Sequence, residues 1–111
     1  INKMTFSSDG NAGLDKLNDK GELIGFCRAP ISESFTQVKY LLKEGHLSLD
    51  KAISLITLNP AVNLGLSNKG RIEIGMDADL CLLNQDFELT EVFALGKLLM
   101  KESLLTIKNN F

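Results

Sequence analysis

Apolar and polar positions along the chain fall into distinct textures, and each predicts a different kind of element. Met4-Thr5-Phe6-Ser7-Ser8 is a short run that reads as a strand. Asp9-Gly10-Asn11-Ala12-Gly13 follows as a loop, because Gly and Asn tolerate the positive φ values of tight turns. Between Leu17 and the apolar Leu23-Ile24-Gly25-Phe26 lies the turn signal Asn18-Asp19-Lys20-Gly21, which predicts a long excursion containing a hairpin.

The period then lengthens. Phe35, Val38, Leu41 and Leu42 recur at helical spacing, with Ser32 or Ser34 as N-cap and Gly45 as the stop. Ser48 is expected to cap a second helix with Leu49, Ala52, Ile53 and Ile56 as its buried stripe, and Asp50 stands near the positive end of its dipole. Asn59 is expected to cap a short third helix, with Pro60 at its first helical position and Gly65 at its end. Beyond Gly70 the texture becomes that of strands at 71–74, 79–84, 89–95 and 98–101, with a further one at 104–108. Helices followed by short strands predict a mixed α/β chain of two structural layers. A lone strand at 4–8 needs partners that no segment before Gly70 supplies, so upstream chain is expected to provide its sheet.

Composition narrows the function classes. At 111 residues, 44% hydrophobic and 23% charged, with a net charge of -2, the chain suits a globular domain with one core. It carries no basic stripe for phosphates, which argues against nucleic acid. No apolar run is long enough to span a bilayer and no signal-peptide pattern opens the chain, so a cytoplasmic location is the default expectation. Cys27 and Cys81 lie far apart in no CxxC pattern and are expected as reduced thiols, Cys81 as a small buried hydrophobe in Leu80-Cys81-Leu82-Leu83.

Few residues offer chemistry. Asp9 follows a predicted strand beside a Gly, where a carboxylate can enter a cleft, bind a metal ion or move a proton; equally, it can bond its own backbone as a turn residue. Asp77 and Asp79 point the same way in an extended chain and suit either a cation or the backbone amides of a turn. His46, the only histidine, falls at a helix junction with no second metal ligand beside it. Glu33, Glu44, Asp50 and Lys51 read as solvated helix charges, and Lys69-Gly70-Arg71 lacks the composition of a phosphate loop.

The order of these pieces resembles the end of the amidohydrolase superfamily. Residues 52–65, AISLITLNPAVNLG, look like its last-helix signature; 69–83, KGRIEIGMDADLCLL, look like its return strand pair; and Gly96-Lys97-Leu98-Leu99-Met100 resembles the hairpin that follows. Phe6-Ser7-Ser8-Asp9-Gly10-Asn11, the acidic loop after it and the ending at 107–111 resemble the isoaspartyl dipeptidases in particular. The resemblance implies an α/β fold in which 1–69 form the last strand, active-site loop and helices of a (β/α)8 barrel, and 70–111 the C-terminal strands of a small β-sandwich. It implies a homo-oligomeric enzyme that cleaves a small β-aspartyl dipeptide with hydroxide activated by two zinc ions. Asp9 would touch the metal and act as general base and then general acid, and the position of Gly13 would contact substrate. The remaining ligands lie outside this sequence, and a whole barrel takes about 250 residues, so the 111-residue piece alone is expected to be inactive. One departure from the family pattern is Gly13, where a hydroxyl residue is usual; another is Ala12 in place of Gly. Rival readings are a dihydroorotase-like or deacetylase enzyme, which share the 52–83 signature, and a non-catalytic association module with exposed strand edges.

Overall fold

The computed structural model describes residues 2–10, 12–102 and 104–105. It is a mixed α/β chain that divides into two compact units, Ile1–Pro60 and Ala61–Phe111.

In the first unit, Met4 to Ser8 run without regular structure, where sequence reading predicts a strand. The chain is tied down here by single hydrogen bonds, and no described segment forms a ladder with it. The predicted hairpin is present: β1 (Gly13–Leu17) pairs antiparallel with β2 (Leu23–Arg28), so Gly13 belongs to a strand and not to the loop before it. Asn18 closes the turn, its Oδ1 accepting from the amides of Lys20 and Glu22 at 2.9 Å each. This is the local side-chain chemistry that makes Asn a turn residue.

Helix α1 (Glu33–Lys43) buries Val38 completely, and Gly45 ends it with φ 69°. Helix α2 (Leu49–Ser54) begins after an extended Ser48, whose hydroxyl bonds the Asp50 carboxylate instead of a backbone amide and lowers its pKa. The buried positions of this helix and its cap are Ala52 and Leu55, at 0% and 2% exposure, while Leu49 is exposed. The expected stripe is therefore rotated toward Leu55. Helix α3 (Leu58–Asn63) starts one residue before Asn59, so Asn59 lies inside the helix and is not its cap. Gly65, at φ 71°, closes it with the Leu66 amide on the Ala61 carbonyl at 2.8 Å.

The second unit carries an antiparallel meander, β3 (Leu80–Leu83), β4 (Leu89–Ala94), β5 (Lys97–Lys101) and β6 (Leu104–Leu105), in that order. The expected strand at 71–74 does not form. Its alternation of Arg71, Ile72, Glu73 and Ile74 has the right period, but it finds no ladder, and Ile72 and Ile74 stay exposed. None of the described side chains in this sheet is buried, which also corrects the expectation for Cys81: like Cys27, it is a free, exposed thiol. The expected ending of the last strand at 106–108 and the family-like terminus at 107–111 lie outside the described residues. No helix among the described residues is long and apolar enough to cross a membrane.

Candidate functional site

Asp9 sits immediately before the turn at Gly10. Its φ is 49°, a left-handed conformation that Asp visits more readily than most residues because its short carboxylate can bond locally. A non-Gly residue held there signals an imposed geometry. Two hydroxyls help impose it: the Asp9 amide donates to Ser7 Oγ at 3.3 Å, and the Gly10 amide to Ser8 Oγ at 3.2 Å. The Asp9 carbonyl accepts from Ala12 at 2.9 Å, and the Ala12 carbonyl accepts from Ala29, which couples the Asp9 turn to the end of the hairpin. Gly10 leaves room at a tight point, because a Cβ there would stand 3.2 Å from both Ile31 Cγ1 and Ser8 Oγ and would oblige those side chains to shift. The turn thus uses the backbone of Asp9 and leaves its side chain exposed.

Gly13, where the family resemblance places a substrate contact, is exposed opposite Arg28 in the hairpin register. A Cβ at Gly13 would meet nothing within 4 Å, so this strand position is open on the side a side chain would occupy.

Sequence reasoning missed Asn59. It is buried, at 5% exposure, and its Nδ2 donates to the Met4 carbonyl at 2.7 Å. The partner lies 55 residues away, and the Asn-Pro pair advertised a cap, so no local signal revealed this role.

In the second unit, Asp77 and Asp79 are occupied by their own neighbours. Lys69 Nζ contacts Oδ2 of both, at 2.9 Å for Asp77, and Asn68 Nδ2 reaches Asp77 at 2.8 Å. Asp79 Oδ1 accepts the Leu95 amide at 2.8 Å. Leu95 and Gly96 have φ values of 49° and 76° in the tight turn between β4 and β5, so Asp79 braces a conformation that Leu disfavours. The lysine and this amide hold the Asp79 carboxyl below its ordinary value of 3.8, and the two carboxylates raise Lys69 above 10.5. Asp79 therefore adds stability that is present above pH 3.8 and is lost as pH falls through its lowered pKa. Lys69 adds stability that is present below 10.5 and is lost as pH rises through its raised pKa. Lys69→Met is expected to move the Asp79 titration upward toward 3.8, which carboxyl-detected NMR would read. His46 stands exposed at the junction of α1 and α2, its ring centroid 6.1 Å from that of Tyr40 and its amide on the Leu41 carbonyl.

Comparison with known proteins places these features in context. The model of the amidohydrolase family matches residues 2–99. A solved β-aspartyl dipeptidase from Fervidobacterium islandicum AW-1, in complex with the β-Asp-Leu dipeptide, is 34% identical with a TM-score of 0.83, covering 99% of this chain and 28% of that one. A dihydroorotase from Ruminiclostridium cellulolyticum is 47% identical over 53 residues, which are 46% of this chain and 12% of that protein. An N-acetylglucosamine-6-phosphate deacetylase from Pasteurella multocida is 25% identical with a TM-score of 0.57, covering 81% of this chain and 22% of that one. The chain thus spans between about an eighth and about three tenths of the length of these relatives.

Proposed function

The chain belongs to the amidohydrolase family, and from that premise we propose that it is the C-terminal part of an isoaspartyl dipeptidase in which Asp9 carries the proton. The observation that carries this reading is the breadth of the likeness. Similarity to the β-aspartyl dipeptidase extends over 99% of the chain and includes the Asp9 segment, whereas the dihydroorotase likeness covers 46%. In this reading 1–69 contribute the last strand, active-site loop and helices of a (β/α)8 barrel, and 70–111 contribute strands of a small β-sandwich. The unburied sheet and the exposed Leu14, Leu17, Leu23, Ile24 and Phe26 of the hairpin support it, since such apolar surface is normally covered. A homo-oligomeric, cytoplasmic parent belongs to the same proposal.

Amidohydrolases generally bind metal ions. Among the described residues no group of three or more His, Cys, Asp or Glu is placed to hold one, so these residues do not form a two-zinc centre by themselves. Asp9 is the carboxylate the chain would offer to such a centre. A metal bound there would activate water for attack on the amide carbonyl. What this chain contributes is the handling of the proton: a carboxylate Oδ of Asp9 accepts it from the attacking water and delivers it to the leaving amine nitrogen as the C–N bond breaks. An exposed side chain on a backbone fixed by Ser7, Ser8 and Gly10 suits that exchange.

The test is a binding measurement on the full-length enzyme carrying Asp9→Asn, in which proton transfer is disabled and the substrate persists. Calorimetry is expected to find saturable binding of β-Asp-Leu. Binding of dihydroorotate with no binding of β-Asp-Leu would favour the second reading, a dihydroorotase, which rests on the 47% identity over 53 residues.

A further inference from the structure

Asp9 is held from beneath as well as from its own turn. Two attachments fix the segment leading to it: the Phe6 amide donates to the Leu55 carbonyl at 3.1 Å, and Asn59 Nδ2 donates to the Met4 carbonyl at 2.7 Å. The first is backbone to backbone and comes from the cap of α2, whose side chain is 2% exposed. The second is the only one of the two that a side chain makes, and its donor is 5% exposed. A buried amide has strong reason to keep its partner, because losing it leaves a desolvated polar group.

From Met4 to Asp9 the chain has no ladder of its own among the described residues. Within this chain these two bonds, and the hydroxyls of Ser7 and Ser8 that follow, are attachments along it, and of the two the Asn59 bond is the one that a side chain makes from outside the segment. We propose that Asn59 is a positioning residue for the reaction: through the Met4 carbonyl it fixes the approach of the chain to Asp9, and so the place of the carboxylate that moves the proton. This rests on the role proposed above for Asp9. Misplacement of a reacting group by about 1 Å can cost about a hundredfold in rate, so a remote anchor of this kind has kinetic consequences.

Asn59→Asp keeps the shape of the side chain and removes the donor. In the full-length, zinc-loaded enzyme it is expected to lower kcat per bound metal for β-Asp-Leu by about tenfold to a hundredfold, leaving KM within about twofold. Amide exchange at Phe6 and Asp9 is expected to speed up in the same variant. Lys69→Met serves as control; it breaks the contacts to Asp77 and Asp79, makes none of the bonds that hold this segment, and is expected to leave kcat per metal and the exchange at Asp9 unchanged. If Asn59→Asp does not accumulate as folded protein, Asn59→Ser, whose shorter side chain does not span the gap to the Met4 carbonyl, carries the same comparison. Unchanged kcat in the Asn59 variant, or a matching loss in the Lys69 control, would overturn the proposal. If the wild type does not cleave β-Asp-Leu, the dipeptidase reading fails by itself. Exchange at Phe6 and Asp9 then decides the anchor separately: faster exchange supports it, and unchanged exchange removes it.

Discussion

Asp9→Asn in the full-length enzyme is expected to lower kcat for β-Asp-Leu by about 10²–10⁴-fold, the range typical of a lost general acid or base. Asn preserves the size of the side chain and tolerates the left-handed backbone at φ 49°, so the turn should survive. The amides of Asp9 and Gly10 would still reach Ser7 and Ser8, since those bonds involve no carboxylate. The loss would then lie in kcat, with KM little changed, because the group acts in the transition state and not in ground-state binding. The second half of the proposed role makes a sharper demand. A β-aspartyl anilide with a good leaving group needs less protonation at nitrogen, so the variant should lose less on that substrate than on β-Asp-Leu. Steady-state rates on the two substrates read both halves at once.

Leu55→Ala is expected to cost about 2–5 kcal/mol, the usual range for a large-to-small change at a buried position. The reason is how little core the first unit has. Its buried apolar side chains among the described residues are Ala29, Val38, Ala52 and Leu55, and of these only Val38 and Leu55 are of any size. A cavity at Leu55 removes much of what α1 and α2 pack around. It also loosens the residue whose carbonyl receives the Phe6 amide, so the loss should reach the Asp9 segment. Denaturant unfolding of the full-length wild type and variant, compared at equal metal loading, gives the difference directly; a change below about 1 kcal/mol would show that Leu55 is not central to this core.

How much of this was legible in the sequence depended on whether the signal was local. The β1–β2 hairpin was, because Asn18 makes its turn with bonds to Lys20 and Glu22. Helix α1 was, because Val38 and its neighbours keep a 3.6-residue period and Gly45 supplies the stop. Residues 4–8 and 71–74 have the texture of strands but form no ladder with any described segment of this chain, since a strand is completed by its partner and a sequence shows only its half of one. The sequence does not separate Leu49 from Leu55 as core, because both are apolar on a six-residue helix or its cap, too short a span for the period to choose between them. In the candidate site, Asp9 could be picked out from its place beside Gly10 and from family likeness. Asn59 could not, because Asn-Pro signals a cap and its partner is the carbonyl of Met4, 55 residues earlier. Asp77 and Asp79 showed the limit of composition: the pair suits a cation on paper, and Lys69 is the cation that meets it.

The central claim is that this family member cleaves β-aspartyl dipeptides, and the most direct measurement is a side-by-side determination of kcat/KM for β-Asp-Leu and dihydroorotate with the full-length, metal-loaded enzyme. On that claim, efficient release of leucine from the dipeptide and negligible turnover of dihydroorotate are expected. Turnover of dihydroorotate with none of the dipeptide would contradict it, and would move Asp9 into the service of a different amide.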